Sequence, residues 1–121
     1  MSNTQIPFTH LHVHTEYSLL DGSNKIKEYV QRVKELGMDS AAITDHGVMY
    51  GVIDFYREAR ANGINPVIGC EVYVAPNSRF DREIGNDEDR YYHLVLLAEN
   101  NTGYAVIRFI KKSFYQFFIK I

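Results

Sequence analysis

The chain has 121 residues, 45% of them hydrophobic and 23% charged, with a formal net charge of −2. These residues hold one small domain or part of a larger one, with no room for a multidomain enzyme, and their balance is that of a folded domain rather than a disordered one. Near-neutral charge gives no reason of its own to expect a nucleic-acid or membrane partner, so either must be argued from a site.

From the N-terminus, Met1 to Gln5 lack the basic start and apolar run of a secretory leader, and Cys70 as the single cysteine rules out an internal disulfide. The expected location is cytoplasmic. Phe8 to His14 is strand-like. Ser23 reads as the N-cap of a helix carrying Ile26, Val30, Val33 and Leu36 on one stripe and stopped by Gly37. Ser40 to Thr44 is a short buried strand, followed by a helix with Val52, Phe55, Tyr56 and Ala59 on one face, stopped at Asn62-Gly63. Pro66 to Ala75 reads as a third strand, the charged run Asp81 to Arg90 as a surface loop, and Tyr91 to Ala98 as a fourth strand. The tail returns to helical spacing through Ile107, Ile110, Phe114 and Phe117. It is basic, with four Lys or Arg and no acid over residues 101–121, and those cations break the one apolar stretch that approaches a membrane helix. The order β-α-β-α-β-loop-β-α predicts an α/β fold with a parallel sheet wrapped by helices.

Candidate chemistry gathers near the ends of these strands. His12 and His14 are two apart, so a strand places both imidazoles on one face, where they can grip one metal ion. Asp45-His46 closes the second strand with Gly47 behind it; Glu71 lies in the third strand, His93 early in the fourth, and Asp21 in the loop after the first. In parallel α/β folds functional residues collect at the carboxyl ends of strands, where the following loops open on one face. Four of the five histidines fall at such positions, which favours a metal site over scattered core histidines. Blander roles stand beside these: a buried hydrogen-bonded His93, an ion-pairing Glu71, an Asp45 that orients a histidine without touching metal. His10 shares the parity of His12 but lies deeper and reads as structural, or as a support to a ligand. Cys70 alternates with Glu71 and reads as a small buried apolar residue. Tyr17 and Tyr50, in the loops over the site, could stack on a nucleotide or cover the rim, and the rim is favoured.

The runs His10-Leu-His-Val-His-Thr-Glu-Tyr-Ser-Leu-Leu-Asp-Gly22, Ile43-Thr-Asp-His-Gly-Val-Met-Tyr-Gly51, Gly69-Cys-Glu-Val-Tyr73 and His93-Leu-Val-Leu-Leu-Ala-Glu-Asn100 resemble the N-terminal polymerase-and-histidinol-phosphatase (PHP) domain of bacterial DNA polymerase III alpha subunits. The resemblance covers residues 6–104, with 105–121 departing as an apolar, basic tail helix. It implies a distorted seven-stranded (β/α), TIM-like barrel with up to three metal ions, usually zinc or manganese, at its C-terminal face. Carried over position by position, the ligands would be His12, His14, Asp21, His46, Glu71 and His93. The family pattern draws three further ligands from later sequence, so residues 1–121 are expected to be the N-terminal half of the barrel.

Closely spaced metals suit phosphoester hydrolysis. The implied activity is 3′-end nuclease or pyrophosphatase work within a replicative polymerase whose partners are DNA and the other subunits, with no membrane. Two alternatives are a metal-stabilised structural module without turnover and a stand-alone phosphatase acting on a small phosphomonoester. With ligands missing and sheet edges unpaired, the chain alone is expected to show little catalysis and to self-associate.

Overall fold

The computed structural model describes residues 7–75, 78 and 91–118, with side chains up to residue 110. The elements are α1 (Ile26–Glu35), β1 (Ser40–Ile43), α2 (Val52–Ala61), β2 (Asn65–Val74), β3 (Tyr92–Ala98) and α3 (Asn101–Phe118). The predicted loop Asp81 to Arg90 and the side chains of Phe114 and Phe117 lie outside the described residues.

Both central helices follow their apolar stripes. Ile26, Val30 and Val33 of α1 and Val52, Phe55 and Ala59 of α2 are buried and share one core with Ala41 and Ile43 of β1 and with Ile64. Tyr29 stacks on Phe55 at 6.0 Å and its hydroxyl donates to the carbonyl of Ala42. Glycine ends both helices as expected, with φ of 74° at Gly37 and 73° at Gly63, a conformation that costs other residues a Cβ clash. Leu36 and Tyr56 leave the stripe and stand partly exposed. Ser23 does not cap α1. The chain stays extended through Asn24, which bridges to Thr15, so the cap position falls on Lys25 and the amide of Ile26 donates instead to Glu16.

The sheet has the order β1-β2-β3. β1 and β2 are parallel, from Ser40 opposite Asn65 to Ile43 opposite Ile68, and α2 makes the crossover that a parallel pair requires. β2 and β3 are antiparallel, from Ile68 opposite Ala98 to Val74 opposite Tyr92, which corrects the expected all-parallel sheet. The run between them has no apolar period that could cover the sheet as a crossover, so the chain returns alongside β2. The predicted strand Phe8 to His14 is also corrected: it joins no ladder. The amide of Val13 is taken by the Thr44 hydroxyl, while the Thr44 amide donates to the Val13 carbonyl. α3 covers the back of the sheet, burying Ile107 against Cys70 and Val72.

Candidate metal centre

Glu71 is the hub of a cluster assembled from four separate segments. The β2–β3 register sets Tyr73 opposite His93 and Glu71 opposite Val95, so these four share one face while Cys70 and Val72 face α3. Because β3 runs antiparallel, its beginning lies beside the end of β2. His93 thereby reaches the same rim as the other donors despite sitting early in its strand. Its Nδ1 contacts Glu71 Oε1. From the N-terminal run, His12 Nε2 and His14 Nε2 each lie 2.6 Å from Glu71 Oε2, as the period of two predicts. His46 follows β1 and bridges to Glu71, whose amide donates to the Asp45 carbonyl and whose carbonyl accepts from Gly47. His46 Nε2 is 2.7 Å from Asp21 Oδ2, and His14 Nδ1 is 4.0 Å from that same oxygen.

The six residues form three overlapping groups, His12–His14–Glu71, His14–Asp21–His46 and His46–Glu71–His93. Within each, the three donor atoms lie within 4.8 Å of one another. Two observations fit these groups to divalent cations. Imidazole nitrogens mixed with carboxylate oxygens suit zinc or manganese. Among the described residues His46 Nδ1 is buried with no hydrogen-bond partner, 3.7 Å from Glu71 Oε2, and a buried polar atom left unmatched is costly unless something binds it. Burial alone would raise the Glu71 carboxyl, but its contacts with His12, His14 and His93 and the charge of His46 outweigh burial and bring it down to about 2. Glu71 is therefore anionic at neutral pH.

Other residues singled out by sequence take different places. Asp45 contacts no histidine side chain; its carboxylate accepts from the Thr15 amide, the Thr15 hydroxyl and the Ser18 hydroxyl at 2.6, 2.8 and 2.8 Å. His10 is neither buried nor in contact with the donors, because residues 7–12 run outside the ladder; its ring meets the exposed Phe8 edge-on. Cys70 is buried, its thiol donating to the carbonyls of Asp45 and Val48. Tyr17 is tied to α2 through Asp54, and Tyr50 is exposed. Sequence reasoning missed Tyr73, whose ring lies parallel to His46 at 6.5 Å and edge-on to His93 at 5.1 Å. Its spacing of two from Glu71 was the available signal. Thr15 and Ser18 were likewise missed, two hydroxyls between His14 and Asp21.

A family model for the PHP domain matches residues 10–120. The chain belongs to the PHP domain family. Among curated relatives of this PHP domain, the DNA polymerase III subunit alpha of Treponema pallidum is 47% identical across 92% of the chain and 10% of its own length. That of Helicobacter pylori is 49% identical across 89% of the chain and 9% of its own length. That of Thermus aquaticus is 43% identical across 95% of the chain. The chain thus spans about a tenth of the length of the curated relatives it matches. Two solved structures share the fold. A protein of Bifidobacterium adolescentis described as a metal-dependent phosphoesterase matches at TM-score 0.58 and 21% identity, over 83% of this chain and 32% of that one. An amidohydrolase of Chromobacterium violaceum matches at TM-score 0.57 and 24% identity, over 87% and 34%.

Proposed function

We propose that these residues are the N-terminal PHP region of a bacterial replicative DNA polymerase alpha subunit, and that His12, His14, Asp21, His46, Glu71 and His93 hold zinc or manganese ions for phosphoester hydrolysis. The observation that carries the reading is the convergence of these six side chains on one rim, with Glu71 in contact with three imidazoles. The names of the relatives support the polymerase setting, and with it DNA and the other polymerase subunits as partners in the cytoplasm. In this reading the three-stranded sheet is the first part of a distorted seven-stranded barrel. Divalent cations bound here would acidify water and neutralise phosphoryl charge. The protein's own part is to hold Glu71 ionised and to keep the imidazoles aimed at one place. Substrate is a DNA 3′ end or pyrophosphate.

The test is hydrolysis of both substrates, with Mn2+ or Zn2+, by the polymerase-length protein that contains these residues. Metal-dependent hydrolysis removed by His12→Ala is expected; hydrolysis that survives His12→Ala contradicts the assignment. The 121-residue chain alone should turn over little.

A second reading, a metal-stabilised module without turnover, is favoured by one observation: the run carrying His12 and His14 joins no ladder and is held beside β1 through Val13 and Thr44, so cations shared with Glu71 would add its tie to β2. It predicts that chelation lowers the melting temperature while hydrolysis stays at background.

A further inference from the structure

Asp45 is buried, 1% exposed as a residue, and its carboxylate hydrogen-bonds to none of the six donor side chains. A buried carboxylate is costly unless its oxygens are fully bonded. All three of its bonds come from Thr15 and Ser18, in the stretch between His14 and Asp21. The Ser18 hydroxyl, 3% exposed as part of its residue, donates to Asp45 and accepts the amide of His46 at 3.1 Å. The Ser18 carbonyl accepts the amides of Asp21 at 3.2 Å and Gly22 at 2.8 Å. The turn so closed has no apolar anchor at its tip, since Leu19 and Leu20 are 86% and 98% exposed. Tyr17 packs against the core at the start of the turn, and from Ser18 to Gly22 the conformation rests on these polar contacts.

Resting on the metal-centre reading above, we infer that Asp45 and Ser18 are positioning residues: a buried clamp that holds the turn so that Asp21 meets His46, and thereby builds the His14–Asp21–His46 group selectively. The His46–Glu71–His93 group shares His46, whose amide meets Ser18, but the His46 backbone is also held by its bridge to Glu71, which does not involve the clamp side chains. His93 is placed by the β2–β3 ladder, and Glu71 by its amide bond to the backbone carbonyl of Asp45, which a side-chain substitution leaves in place. One cation therefore depends on the clamp and another does not. Supporting contacts of this kind change metal affinity by about 10–100-fold.

The test is calorimetric titration of the metal-free chain with Mn2+, comparing wild type with Asp45→Asn, Ser18→Ala and Asp21→Ala, with the melting temperature of each metal-free form measured alongside. The expected result is that one Mn2+ per chain weakens about 10–100-fold in Asp45→Asn and Ser18→Ala while the remainder binds as in wild type, the same pattern that Asp21→Ala produces. Lower melting temperatures with unchanged isotherms would make the clamp purely structural and overturn the inference. So would equal weakening of every site. If Asp45→Asn fails to fold, Ser18→Ala decides, because it keeps both Thr15 bonds to Asp45. A wild-type chain that takes up no Mn2+ overturns the metal centre itself and the clamp with it; wild-type uptake that the variants leave unchanged overturns the clamp alone.

Discussion

Glu71 carries three imidazole contacts, His12 and His14 on one oxygen and His93 on the other. Replacing it with Gln keeps the shape and removes the charge, so Glu71→Gln should abolish divalent-cation binding at the two groups it shares, measured by titration. The same residue gives the chelated chain a pH signature. Its carboxyl is held at about 2 when folded, against an ordinary 4.5. A depressed folded value means that its contribution to stability is full above pH 4.5 and is lost as pH falls toward 2. Melting temperatures of the cation-free protein should decline across that window, and the decline should be shallower in Glu71→Gln. Identical slopes would remove Glu71 from the acid transition. At this scale the convergence of the six side chains was legible because imidazoles and carboxylates placed at strand ends are few, and a spacing of two, as in His12-Val-His14, sets both on one face. The true partners of Asp45 were not, since two hydroxyls in a turn announce nothing until the turn is folded.

Among the elements, the turn from Thr15 to Gly22 is the most constrained. A Cβ on Gly22 would lie 1.9 Å from the Thr15 carbonyl oxygen and 2.9 Å from the Ser18 Cβ. Gly22→Ala should therefore destabilise the chain by about 1–3 kcal/mol in denaturant unfolding, with weaker cation binding at Asp21, because the backbone itself must move. Phe55, fully buried between α1 and the sheet, is the contrasting case: Phe55→Ala should cost about 3–5 kcal/mol without a selective effect on any one cation. The helices were legible from period and glycine stops, since burying a stripe at Ile26, Val30 and Val33 needs no partner's identity. Strand direction was not. An alternation of apolar residues in Tyr92–Ala98 is the same read up or down, and only the connection to β2 decides it. Phe8 to His14 has strand alternation too, yet Thr44 takes its Val13 amide by a side chain and no ladder forms.

For the molecule as a whole, the described sheet stops at β1 and β3, and no described strand pairs with the outer edge of β3. Unpaired edges recruit other strands, so size-exclusion chromatography with light scattering should show self-association of the chain at micromolar concentration; a stable monomer would contradict the half-barrel reading. The described helices include none long and apolar enough to cross a membrane. The rim joins the N-terminal run, the end of β1, the end of β2 and the start of β3, segments far apart in sequence that a shared cation would cross-link. The most direct measurement is therefore metal content and titration of the purified chain with Zn2+ and Mn2+, for wild type and Glu71→Gln, each with a melting curve before and after chelation. The account predicts stoichiometric uptake by wild type, loss of uptake in Glu71→Gln at the two groups that contain Glu71, and a melting temperature that falls further on chelation in wild type than in Glu71→Gln. A wild-type chain that binds no divalent cation, or a Glu71→Gln chain that binds as well as wild type, would contradict it.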